Sequence, residues 1–226
     1  MTITFMSAPD RVDSGNNERG DVFVVGGGYS VTYVDREKLW GTVIGINDSG
    51  LRLPRVDRIV SMDRKWTEAR WYDASDAGIP SLCDRALPTW IRRSAIQNIR
   101  ERPSWLTIFE CDHERTDFSD DPARLEGTNS GLVAMNLAYQ MRPRRVFLLG
   151  FDMSRGPKGE PYWYPPYPWA PNGGTSKGKY REWAHQFTPA YGCFHAAGIR
   201  VINVSVTSAI DIFQRIPPDR LEKYRP

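Results

Sequence analysis

Asp21-Val22-Phe23-Val24-Val25-Gly26-Gly27-Gly28-Tyr29-Ser30 is the stretch on which the fold turns. Four β-branched or aromatic residues that end on three glycines read as a strand, a tight turn and a short helix. The run is continuously apolar and does not alternate, as expected of a strand in a parallel sheet covered by helices on both faces. Residues 145–150 repeat the pattern, ending on Gly150, Phe151 and Asp152. Just before them, Thr128, Asn129 and Ser130 can cap a helix that begins near Gly131, carries Leu132, Met135, Leu137 and Tyr139, and stops at Pro143. A helix running into an apolar strand is the crossover unit of a parallel sheet.

Working outward, residues 42–46 read as a strand stopped by Asn47 and residues 58–62 as a strand stopped by Asp63. Residues 105–111 and 200–204 read as further strands. Helices are expected over 64–72 and over 180–197, the latter bent at Pro189, while residues 73–103 look irregular. The expected architecture is α/β: a doubly wound, mainly parallel Rossmann-like sheet forming a single domain over residues 21–226. A polar, disordered arm is expected over 1–20, and a proline- and aromatic-rich loop over 156–178. In such a sheet ligands settle at the carboxyl ends of the strands near the switch point.

The composition excludes several classes. Thirty Lys and Arg stand against 27 Asp and Glu in 226 residues, and a net charge of +3 does not by itself demand nucleic acid or an anionic membrane. No apolar run approaches the roughly 20 residues of a spanning helix. The first twenty residues lack a basic segment followed by an apolar one, so a cytoplasmic protein is expected. Three cysteines are too few for a disulfide framework. Cys111 with His113 and Cys193 with His195 form C-x-H pairs, a spacing tighter than structural zinc sites use, and read as strand-end cysteines with surface histidines.

The strand ends carry the candidate chemistry. Three successive glycines, Gly26, Gly27 and Gly28, allow backbone N–H groups to approach a phosphate or ribose, although a purely structural turn accounts for them equally well. The dinucleotide pattern G-x-G-x-x-G fails at Val31, and no Lys follows the glycines as a phosphate loop would require. Thr128, Asn129, Ser130 and Gly131 sit at a helix N-terminus that favours an anion, or they form an ordinary cap. With Gly150 and Asp152 they would face each other across one crevice.

The ordered set VVGGGYS, GIND, SMDRKW, GTNSGLVAMNLAY, RRVFLLGFDM and RVINVSVTSAIDIF, spread over roughly residues 21 to 215, resembles a group of phage proteins labelled norphogenetic protein. That group is similar to the bacterial sialyltransferase fold, shared with flagellin-glycosylating motility accessory factors and archaeal 6-hydroxymethylpterin diphosphokinase. The resemblance implies that Gly26, Gly27, Gly28 and Ser30 match a G-x-G-P-S loop at the nucleotide's phosphate and ribose, with Tyr29 in place of Pro. It matches Asn47 to a strand-end nucleotide contact, Ser130 and Gly131 to a T-S-G contact, and Gly150 to Asp152 to a G-I-D contact. His185 follows Asp152 at a spacing similar to that of the family's histidine base. His185 also reads as a solvent-facing residue of the helix REWAHQF, and Asp63 as a base, a ribose ligand or a helix cap. The family's leaving-phosphate tyrosines have no aligned equivalent, since Ser154 and Glu160 occupy those spacings, and Tyr162 or Tyr164 would substitute. Tyr162, Trp163 and Tyr164 read as stacking faces for an acceptor on a mobile lid, or as a subunit interface of a homo-oligomer.

The resulting expectation is a nucleotide-sugar-dependent glycosyltransferase, in the host cytoplasm if phage-encoded, with catalytic His185 and Asp63. It takes a CMP-sugar or another nucleotide-activated donor, holds no tightly bound cofactor or metal, and has no membrane partner. Its acceptor could be a modified DNA base, a protein or a small molecule. Two alternatives stand beside it: an ATP-dependent pyrophosphokinase of the 6-hydroxymethylpterin type, which would need Mg²⁺, and a non-catalytic nucleotide-binding or virion-associated protein.

Overall fold

Strand β1 (Asp21–Val25) lies inside a parallel sheet whose other members are β2 (Thr42–Ile46), β3 (Arg58–Ser61), β4 (Thr89–Arg92), β5 (Leu106–Phe109), β6 (Arg145–Leu149), β7 (Arg200–Val204) and β8 (Gln214–Ile216). The structure, a computed structural model, describes residues 20–112, 114–115, 117–173 and 175–226. The arm expected over 1–20 lies outside them except for Gly20, as does His113 of the first C-x-H pair. The strand order is β5-β4-β3-β2-β1-β6-β7-β8, and every neighbouring pair is parallel. The chain winds outward from β1 to β5, then crosses back to place β6 against the free side of β1. This is the doubly wound arrangement, and its switch point lies between β1 and β6.

The apolar strands divide their side chains between two cores. On β1, Val22 and Val24 face one side and Phe23 and Val25 the other, as the period of two requires. The first side is covered by α4 (Ser130–Gln140) and α6 (Thr188–Ala196), through Leu132, Met135, Ala190 and Phe194. The second is covered by α1 (Asp48–Arg52), α2 (Arg64–Arg70) and the aromatic loop, through Leu51, Trp66, Tyr164 and Tyr167. Each fully buried aliphatic or aromatic side chain stabilises the fold by about 1.5–3 kcal/mol.

The start of β1 is fastened by charge. Buried Asp21 accepts hydrogen bonds from Arg145 Nε (2.9 Å) and Trp40 Nε1 (2.7 Å), and Arg145 also donates to the Tyr224 carbonyl at 2.7 Å. Burial pushes the Asp21 carboxyl pKa up, but the hydrogen bonds from Arg145 and Trp40, with the nearby charges, outweigh it and leave it below the usual value.

Three expectations are corrected. The segment 73–103 contains β4 and the short α3 (Leu82–Arg85), which opens on a capping box at Ser81. The helix expected over 180–197 is two helices, α5 (Lys177–His185) and α6, because Pro189 sits in the first turn of α6. A proline there costs no hydrogen bond and starts a helix instead of bending one. The last correction is β8, a strand the sequence reading did not anticipate.

Candidate functional site

A crevice of about 600 Å³ opens above the carboxyl ends of β1, β2, β3 and β6. Twelve of the sequence-predicted residues line it: Gly26, Gly27, Gly28, Asn47, Asp63, Thr128, Asn129, Ser130, Gly131, Gly150, Tyr162 and Tyr164. It therefore lies at the switch point, where the sheet topology leaves room for a ligand.

The glycine turn is packed against the end of β6. Gly26 donates its N–H to the Leu149 carbonyl at 2.8 Å and Gly28 donates to the Gly150 carbonyl at 2.9 Å. Those two amides are thus spent inside the protein, and Gly27 alone of the three makes no such bond to β6. A Cβ at Gly28 would stand 2.6 Å from the Gly150 oxygen, and one at Gly27 would stand 2.9 Å from the Tyr162 ring. The three glycines are required first by the close approach of β1, β6 and the aromatic loop, which is the structural side of the two readings.

Helix α4 offers the better anion site. Asn129 caps it by accepting from the Leu132 N–H (3.1 Å), and the N–H groups of Ser130 and Gly131 in the first turn have no intrahelical acceptor. Because Asn129 Oδ1 is committed to the cap, its Nδ2 is fixed as a donor. That Nδ2 is buried without a partner among the described residues, and so is Oδ1 of Asn47. Asn47 follows β2 with φ 52° and ψ −131°, a conformation unusual for a residue with a side chain. One donor and one acceptor, both unsatisfied, thus belong to two residues that line the same crevice. Thr128 is engaged elsewhere, donating its hydroxyl to Gln186.

Asp63 lines the crevice and also caps α2, since its Oδ1 accepts from the Trp66 N–H at 2.9 Å. Its Oδ2 makes no hydrogen bond among the described residues. Beside it stand Lys65 and Arg92, two cations the sequence reading did not single out.

Four predicted residues stand elsewhere. Asp152 is buried and points inward, with Oδ2 accepting from the Ser30 N–H (2.8 Å) and Oδ1 from the Ser205 hydroxyl (2.8 Å). Asp152 and Ser30 therefore clamp the glycine turn to the ends of β6 and β7. His185, the last residue of α5, is exposed and is not among the residues lining the crevice. Trp163 does not line the crevice; its ring meets Tyr164 edge-on at 5.3 Å, while Tyr162 and Tyr164 stack at 5.1 Å and 11°. The Trp163 indole Nε1 reaches the Gly26 carbonyl (3.2 Å) and Ser49 Oγ (3.0 Å).

The loop over 156–178 is a packed wall. Trp163 donates its N–H to the Gly27 carbonyl at 3.0 Å, and Tyr164 and Tyr167 are buried with their hydroxyls 3.1 Å apart. Burial pushes the Tyr162 hydroxyl pKa up to about 12 and raises those of Tyr164 and Tyr167 as well, so all three stay protonated, and Tyr162 donates to the Gly173 carbonyl at 3.1 Å. Farther along, Trp169 stacks on Tyr167 at 5.0 Å and 5°, over the buried Arg70 guanidinium, and with Tyr180 and Trp183 of α5 completes the aromatic side. Trp169 belongs to the aromatic segment that the sequence marks as a source of stacking faces, whereas Tyr180 and Trp183 escaped the sequence reading as crevice residues because only the fold brings α5 to the crevice.

Among the described residues, no cluster of three or more His, Cys, Asp or Glu is placed to hold a metal ion, and no helix is long and apolar enough to cross a membrane. The fold is that of a doubly wound parallel α/β protein, with a crevice lined by polar and aromatic residues at its switch point. Comparison with protein-family models, with curated proteins and with solved structures finds no match to the chain.

Proposed function

We propose that the protein is a transferase that binds a nucleotide-activated sugar in this crevice and passes the sugar to a hydroxyl acceptor. The observation that carries the reading is the polar rim: the Ser130 and Gly131 amides, the unpartnered Asn129 Nδ2 and the unpartnered Asn47 Oδ1 all belong to residues of one crevice. Helix amides and an amide donor suit phosphate oxygens, while the Asn47 acceptor suits a ribose hydroxyl. The aromatic side, with Tyr162, Trp169 and Trp183, suits the flat faces of a sugar or base.

In this reading the bond that breaks joins the anomeric carbon to the phosphate oxygen, and the bond that forms joins that carbon to the acceptor oxygen. The helix amides stabilise the departing phosphate. Asp63 takes the acceptor proton in place of His185, because Asp63 is the carboxylate that lines the crevice.

The test is thermal unfolding against CMP, CDP, UDP, GDP and ATP, with and without Mg²⁺, in the wild type and in Ser130→Pro. Proline at the first helical position removes one N–H and leaves the helix intact. A ligand at a hundred times its Kd raises stability by about 2.7 kcal/mol. The expected result is stabilisation by one nucleotide class without Mg²⁺, reduced in Ser130→Pro. Stabilisation by ATP with Mg²⁺ alone would replace sugar transfer with pyrophosphoryl transfer, and no response to any nucleotide would remove the reading.

A further inference from the structure

Behind the aromatic wall lies a second cleft, of about 620 Å³, to which none of the sequence motifs pointed. Its walls are residues 34–37, the end of α1 with Leu51 and Arg52, the turn at 78–80, and the outer side of Trp163, Tyr164 and Pro165. Two guanidinium groups stand over the rings of that wall. Arg36 lies 4.7 Å from the Trp163 ring centre, and Arg52 lies 5.2 Å from that of Tyr164.

A guanidinium held over a ring face by its charge still has N–H groups to offer an acceptor. Those donors are largely unused. Arg36 makes no ion pair among the described residues, since the adjacent Asp35 is taken by Lys38 Nζ at 2.9 Å and by the Glu37 N–H at 3.3 Å. Arg52 spends only Nη2, on Asp48 at 3.4 Å and on the Ala77 carbonyl at 3.3 Å, and its Nε is buried without a partner. Glu37 also lines the cleft but is exposed, so solvent and salt screen its charge.

We infer that this cleft is a second ligand site, which takes a phosphate group, free or carried on a small molecule, between Arg36 and Arg52. Arginine suits such a group because its planar fork matches two oxygens at once. Trp163 links the site to the crevice. One face of its indole carries Arg36, while its Nε1 and main-chain N–H hold Gly26 and Gly27 of the glycine turn. Tyr164 lines both cavities. A phosphate that draws Arg36 toward itself therefore acts on the group that fastens the crevice floor.

The experiment is equilibrium dialysis of the whole chain against inorganic phosphate and, in a second arm, phenyl phosphate. The proteins are the wild type, Arg36→Gln and Ser130→Pro. Arg36 is half-exposed and outside the crevice, and thermal unfolding checks that Arg36→Gln remains folded. Arg36→Gln is expected to weaken one class of binding about tenfold or more, as loss of hydrogen bonds to a charged group does. Ser130→Pro should leave that class unchanged. Inorganic phosphate bound as well as phenyl phosphate identifies free phosphate as the ligand, and a preference for phenyl phosphate identifies an organic phosphate. Binding that Arg36→Gln leaves intact, or no binding of either probe, would overturn the inference. Loss in Ser130→Pro alone would assign phosphate to the crevice only.

Discussion

Gly28 donates its N–H to the Gly150 carbonyl at 2.9 Å, and a Cβ at position 28 would stand 2.6 Å from that same oxygen. The backbone of Gly28 is extended, at φ −64° and ψ 151°, which any residue adopts. What position 28 requires is the space, and the conformational freedom of glycine is beside the point. Gly28→Ala should therefore destabilise the protein by overpacking at the switch point, by about 1–3 kcal/mol. Urea unfolding measures it, and a variant as stable as the wild type would show that β1 and β6 can part without loss.

Trp163→Phe keeps one six-membered aromatic ring and removes the pyrrole part of the indole with the Nε1–H that reaches Gly26 and Ser49. The expected loss is about 0.5–1.5 kcal/mol, because Ser49 Oγ still donates to the Gly26 carbonyl at 2.8 Å. Crevice binding should change less than in Trp169→Ala, since Trp169 lines the crevice and Trp163 does not. The reverse order, measured by calorimetric titration with whichever nucleotide stabilises the protein, would restore Trp163 as a ligand contact.

Acid should loosen the start of β1. The folded pKa of Asp21 lies below its ordinary 3.8, so its contribution is fully present above that value and is lost as pH falls through the lower, folded one. Asp21→Asn should remove that part of the acid dependence. It should also cost about 3–5 kcal/mol at neutral pH by leaving Arg145 without its charge partner in a largely buried position. Equal acid midpoints in variant and wild type would refute the assignment.

Alkali acts on the aromatic wall with the opposite sign. Tyr162, Tyr164 and Tyr167 have folded pKa values raised above 10.0, so their contribution is complete below pH 10 and is lost as pH rises through the higher values. Tyrosinate absorbance should show a late-ionising group that merges with alkaline unfolding, and Tyr167→Phe should shrink it. A titration in which every tyrosine ionises near its ordinary value would contradict the burial of these hydroxyls.

Strands built on an apolar, β-branched run were legible in the sequence: β1, β2 and β7 occupy the residues expected of them. Strands β4 and β8 were not, because Thr-Trp-Ile-Arg and Gln-Arg-Ile are short and partly polar, and pairing to β5 and β7 is what makes them strands. The polar ends of strands predicted much of the polar side of the crevice, since topology alone brings them together. Sequence could not tell that Asp152 turns inward to Ser30 and Ser205, or that the Trp163 indole reaches Gly26 and Ser49 and does not line the crevice. Those orientations depend on which backbone lies next to each residue, and that neighbour is supplied from elsewhere in the chain.

The pairing of β1 with both β2 and β6 also bears on how the molecule acquires its site. Strand β2 follows β1 closely, whereas Val25 meets Leu149 only after more than half of the chain has intervened. Contacts so distant in sequence form slowly, because a long loop must close before they reward it. On a ribosome, β1 through β5 can assemble while β6 is still unmade, with the apolar edge of β1 uncovered. The crevice comes into being when residues 145–149 arrive to cover it, so binding competence is a late event in the life of each newly made chain.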